Sequence, residues 1–145
     1  MNGEDVAVKI LRPQIENAFA SDLSLFKWIA KILENYISRT KRLQPVKVVQ
    51  IFANTIALEM DMRMEAAAAA ELAKNFEGDP DFKVPQIFWE TTTKRVLTIE
   101  RLSGCRPDDI ASLEKAGHDP SKILQKFACI FFNQVFRDGF FHADM

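Results

Sequence analysis

The chain has 145 residues, 48% apolar and 27% charged, which is enough apolar material for one domain with a core of its own. Its 19 Lys and Arg nearly balance 20 Asp and Glu, for a formal net charge of −1, which excludes the basic footprint of a nucleic-acid-binding protein. No apolar run reaches the roughly 18 to 20 residues that span a bilayer, and the polar opening Asn2-Gly3-Glu4-Asp5 is not that of a secretory signal. Cys105 and Cys129 have no Cys or His companion at metal-ligand spacing, a pattern that suits a reducing compartment.

The elements follow in chain order. From Asp5 to Ile10, Val6, Val8 and Ile10 alternate with Ala7 and Lys9, the two-residue period of a strand, with Lys9 on the face opposite the valines. Arg12-Pro13 ends it, and an amphipathic helix follows through Phe19, Leu23, Phe26, Ile29, Leu33 and Tyr36. A basic connector over 38–44 leads to Pro45, which opens a second helix. The pattern predicts that this helix runs unbroken through Val49, Ile56, Met60 and the alanine run Ala66–Ala70 toward Phe76, with Gly78 closing it.

Past Gly78, Pro80 and Pro85, two β-rich runs, Gln86–Glu90 and Arg95–Glu100, flank Thr91-Thr92-Thr93-Lys94 and predict a hairpin. A loop over 103–107 precedes a short helix over Asp108–Ala116 that ends at Gly117. Asp119 as N-cap and Pro120 at the first helical position open a last helix, stopped by Gly139. Its stripe of Ile123, Leu124, Phe127, Ala128, Phe131, Phe132 and Val135 predicts extensive burial.

Four segments carry the candidate chemistry, and their order along the chain matters more than any one of them. Val6-Ala7-Val8-Lys9 matches the V-A-I-K strand that holds an ammonium against nucleotide phosphates, with the small Ala7 leaving room for a base. An ordinary edge-strand lysine facing water is the competing reading. In Leu58–Glu65, a rotation of about 100° per residue places Asp61 and Glu65 on one helix face and lets Glu59 pair with Arg63. Two like charges four apart call for a cation such as Lys9 or a metal ion, unless they form a solvated acidic face. After the second hairpin strand, Glu100, Arg101 and Leu102 occupy the place of a hinge whose backbone binds an adenine edge. His142-Ala143-Asp144 fits the H-x-D of a phosphotransferase loop, in which the aspartate accepts or orients a proton. A structural histidine and a turn-capping aspartate would give the same three letters. His118, between Gly117 and Asp119, is read as a loop residue.

Together these segments resemble the UbiB family of atypical kinase-like proteins, associated with ubiquinone biosynthesis. The resemblance rests on Val6–Pro13, Leu58–Ala67, Val84–Glu90, Val96–Glu100 and, most specifically, Gln134–Met145. It implies an α+β, protein-kinase-like two-lobed fold, helix-rich with a small antiparallel sheet and truncated at both ends. About 1–102 would form the N-lobe with inserted helices and hinge, and about 103–145 the start of the C-lobe up to the catalytic loop. It makes Asp144 the catalytic aspartate, Lys9 the phosphate-pairing lysine and Glu65 its salt-bridge partner. Ala7 and Glu100–Leu102 join them in binding ATP, and Glu59 and Asp61 become a regulatory E-x-D motif facing an extra N-terminal segment.

The family's Mg²⁺ ligands are expected beyond Met145, so ATP and Mg²⁺ are the implied cofactors, with no metal ligand within the chain and no turnover by this stretch alone. Implied partners are a nucleotide and quinone-biosynthesis proteins or lipid precursors, but no nucleic acid. The implied location is the cytoplasm, at the inner face of a membrane reached only through other segments. Two competing functions are a small-molecule phosphotransferase of the aminoglycoside or choline kinase type and a non-catalytic helical interaction module or remnant.

Overall fold

The computed structural model describes residues 5–37 and 41–141. It contains strand β1 (Val6–Ile10), helices α1 (Ile15–Tyr36), α2 (Pro45–Glu59) and α3 (Met62–Asn75), strand β2 (Val96–Glu100), and helices α4 (Ile110–Lys115) and α5 (Pro120–Phe132). The described residues divide into two compact units, one within 8–66 and 88–98, the other within 1–7, 67–87 and 99–145.

In the first unit α1 and α2 pack as a helical hairpin, with Ala30 and Ile56 buried and the rings of Phe26 and Phe52 meeting edge to face at 6.4 Å. Pro45 takes the first position of α2, as expected. The residues ahead of the two helices, Gln14 and Gln44, adopt left-handed backbone, a conformation that turns the chain sharply into each helix.

The single helix predicted from Pro45 toward Phe76 is two. α2 stops at Glu59, Met60 folds its N–H back to the Ile56 carbonyl, and α3 starts at Met62. Intrinsic propensity favours continuity here, but Asp61 has a short polar side chain that competes for backbone donors, a role suited to caps. The helix resumes behind it.

The predicted hairpin also changes. β2 pairs with β1, in a register fixed by Arg101 N–H to Asp5 O at one end and Leu11 N–H to Arg95 O at the other. The pairing is antiparallel. The Gln86–Glu90 run meets β2 only at one antiparallel bridge, Ile87 with Ile99, and then turns into a short 3₁₀ segment, Trp89–Thr91. Side chains stop that ladder at both ends. The Thr98 N–H goes to the Thr92 hydroxyl, and the Gln86 N–H goes to the Glu100 carboxylate.

The second unit is built on Leu72, Phe76 and Ile130, flanked by Phe82, Val84 and Phe140. Asp119 caps α5 by accepting the Ser121 N–H, with Pro120 behind it, and Asp109 caps α4 in the same way through Ser112. The α5 stripe is not buried as expected. Ile130 is buried and Ile123 and Ala128 are half-buried, but Leu124 is 68% and Phe132 53% exposed. The helical period holds, yet amphipathic spacing marks a face without stating what covers it. Beyond Phe132 the helix widens into a π-turn, Asn133–Asp138, closed by Gly139 in left-handed backbone.

Candidate functional site

Lys9 is the fourth of the five residues of β1, and the ladder register sets it opposite the buried Leu97 of β2. Its ammonium donates to both carboxylate oxygens of Glu65 at 2.8 Å. Glu65 stands one turn into α3, 56 residues away in sequence. With side chains 61% and 41% exposed, such a pair contributes at most about 1 kcal/mol to stability. What it fixes is position, because one charge is tied to a strand and the other to a helix.

The start of α3 accounts for Glu65's placement. The first amides of a helix have no partner inside it. Here Met62 N–H donates to the Lys94 carbonyl at 3.0 Å, Arg63 N–H to Asp61 Oδ1 at 3.1 Å, and Met64 N–H to the Asp61 carbonyl at 2.8 Å. α3 is thereby pinned to the turn that feeds β2. β1 pairs with β2, and the Lys9–Glu65 contact joins β1 back to α3. Strand, turn and helix form a closed mechanical loop around the lysine.

The acidic residues divide differently from the geometry expected of an unbroken helix. Arg63 takes Asp61 in a bidentate fork, Nε to Oδ1 at 2.9 Å and Nη2 to Oδ2 at 2.6 Å, rather than pairing with Glu59. The Arg63 guanidinium holds the Asp61 carboxyl well below the usual range, at about 2, and the Arg63 amide adds to the effect. Glu59 is the exposed last residue of α2. The like charges of Asp61 and Glu65 are offset by two separate cations, Arg63 and Lys9. Lys94 was missed from sequence because it acts through its carbonyl, which has no side-chain signature.

In the other unit Glu100 ends β2 with its carboxylate held by Lys83 and by the Gln86 N–H at 3.2 Å. Lys83, then Gln86, keep that carboxyl below its ordinary value. The N–H groups of Glu100 and Arg101 go to the carbonyls of Gln86 and Asp5. Arg101 and Leu102 are exposed, and Ala7 is half-buried in β1. Lys83 was also missed, since a lone lysine in a proline-bounded loop gives no local sign of a partner 17 residues on.

His142, Ala143 and Asp144 lie outside the described residues. The segment leading to them is anchored: Arg137 lies over the Phe76 ring at 4.9 Å and donates to the Asn75 carbonyl, while Phe140 packs on the core and donates its N–H to the Gln134 carbonyl. Among the described residues no group of three His, Cys, Asp or Glu side chains is placed to hold a metal ion. No described helix is long and apolar enough to cross a membrane.

Residues 1–145 match the ABC1 atypical kinase-like domain. The chain is 48% identical over 144 residues to the "Probable protein kinase UbiB" of Marinobacter nauticus, 41% to that of Pseudomonas aeruginosa and 36% to that of Aliivibrio fischeri, each alignment covering 99% of this chain. It spans about a quarter of those relatives, 26% or 27% of their length. An ordered strand lysine, a helical glutamate holding it and a match over the full sequence lead to one conclusion: the chain belongs to the ABC1 atypical kinase-like family, among its UbiB members.

Proposed function

We propose that this chain carries nucleotide-handling residues of an ATP-dependent atypical kinase or ATPase that supports ubiquinone biosynthesis. The observation that carries the proposal is the Lys9–Glu65 pair. A contact worth so little in stability, yet built from a strand and a separately capped helix, is suited to presenting an ammonium in one orientation. An exposed, carboxylate-anchored lysine suits phosphate oxygens, which accept from a point charge that keeps its remaining protons for them. Its half-exposed partner lets the ammonium shift toward an incoming anion without leaving Glu65.

Glu100–Leu102 are proposed to meet the adenine edge through backbone groups, beside the small Ala7. Asp144 is proposed to orient the nucleophile and accept its proton as phosphoryl transfer proceeds. The names of the curated relatives, probable protein kinases, support a phosphotransferase chemistry, and the UbiB name supports a place in quinone synthesis. Glu59 and Asp61 are proposed to govern access to the nucleotide. Asp61 would act through the start of α3, which its carboxylate caps.

The test is made at the length of the curated relatives. Lys9→Met is expected to weaken ATP binding, and Asp144→Asn to lower turnover by about 10²-fold or more with ATP affinity retained. Unchanged turnover in folded Asp144→Asn protein removes Asp144 from the mechanism. Unchanged ATP affinity in Lys9→Met does the same for the lysine.

A further inference from the structure

We propose that the Glu100 side chain is a positioning residue that keeps its own backbone carbonyl open for the 6-amino group of an adenine. The inference rests on the nucleotide reading above and deepens it. In the β1–β2 register, residues 7 and 99 exchange hydrogen bonds, so Glu100 turns its N–H and carbonyl to the opposite edge of β2. On that edge the bridge between Ile87 and Ile99 sets Gln86 and Glu100 as a close pair.

A regular antiparallel close pair exchanges two bonds. Only one forms here. Glu100 N–H donates to the Gln86 carbonyl at 2.8 Å, but Gln86 N–H turns to Glu100 Oε2 at 3.2 Å. The other carboxylate oxygen is held by the Lys83 ammonium. The side chain thus intercepts the one donor that the fold would deliver to the Glu100 carbonyl.

A strand-end carbonyl kept out of its ladder is a strong acceptor facing an N–H donor of matching reach. An exocyclic amine at the edge of a purine is such a donor. An oxygen-bearing purine offers an acceptor at the same position and would meet the carbonyl with repulsion. The device therefore selects adenine over guanine or hypoxanthine without any side-chain contact to the base, and replacing Glu100 by a non-accepting residue lets Gln86 close the pair.

Binding of ATP and of purine riboside triphosphate, which lacks the 6-amino group, is measured by calorimetry on the protein at the length of its relatives. The unsubstituted protein is expected to bind ATP about three- to tenfold more tightly, the worth of one hydrogen bond. In Glu100→Ala and in Glu100→Leu, which keeps the bulk, the ratio is expected to fall to about one through loss of ATP affinity alone. Glu100→Gln, which still accepts the Gln86 N–H, is expected to restore it.

A folded Ala or Leu variant with the original ratio overturns the proposal and leaves ATP binding standing. Equal affinities in the unsubstituted protein overturn it in the same way. Binding of neither triphosphate overturns the nucleotide reading and this inference with it. A merely structural role for Glu100 would weaken both ligands equally, and that result also overturns it.

Discussion

Asp61 shows how one residue sets a helix boundary and a pH response together. Its carboxylate accepts the Arg63 amide and both guanidinium contacts, and its carboxyl lies at about 2 against an ordinary 3.8. A depressed carboxylate stabilises the folded state fully above its unfolded pKa and loses that contribution as pH falls through the folded value. The window runs from about 4 down to about 2. The Arg63 amide resonance is expected to titrate with a midpoint near 2, and the step is expected to vanish in Asp61→Asn, whose oxygen still caps α3. A midpoint at the ordinary carboxylate value would show that the cap does not hold the charge. From sequence, the residues around Asp61 are good helix formers, so the break was invisible: the Lys94 carbonyl that receives Met62 N–H comes from a distant turn.

At the scale of elements, periodicity located what local chemistry dictates and lost what distant partners decide. Strand β1, the caps Asp119 and Pro120 and the stop at Gly139 follow from residue types within a few positions, and the structure keeps them. The hairpin failed because its outer ladder bonds go to Thr92 and Glu100 side chains, a competition set by geometry rather than composition. The like charges of Asp61 and Glu65 called for a cation, with Lys9 or a metal ion as candidates, but the pairing of Lys9 with Glu65 itself was legible through family resemblance, since no periodic rule links a strand to a helix 56 residues on. Helix energetics obey the same division. Phe76 is 4% exposed, packs at 4.7 Å on the Phe82 ring and supports Arg137, so Phe76→Ala is expected to cost about 3–5 kcal/mol. Leu124, on the open side of α5 at 68% exposure, is expected to change stability by no more than about 0.5 kcal/mol when replaced by Ala. Urea melts of the two variants check the contrast, and equal losses would mean that the α5 face is packed in solution.

Across the whole molecule, apolar surface exceeds what its interior consumes. On α1, Leu25, Trp28, Ile32 and Tyr36 recur at helical spacing on one outward stripe, all at least 36% exposed. Ile51 and Leu58 do so on α2, as do Leu124 and Phe132 on α5. An apolar cleft of about 480 Å³ opens between α1 and α2, lined by Phe26, Ala30, Leu33 and Val49 among others. Monomeric soluble proteins rarely expose contiguous apolar patches larger than a few hundred Å², and larger ones drive association. The near-zero net charge gives little repulsion to oppose it. The 145-residue polypeptide is therefore expected to bind a dye specific for apolar surface and to sediment as concentration-dependent oligomers. Trp28→Glu combined with Leu124→Glu, one change in each unit, is expected to reduce both signals while leaving the far-ultraviolet circular dichroism unchanged. Both side chains are more than half exposed, so the substitution adds charge without opening a cavity. A monomer at every concentration with no dye signal would mean that the stripes close on one another in solution. Persistence of the oligomer in the double variant would place the contact elsewhere, with the outward faces of α2 the next to carry the same substitution.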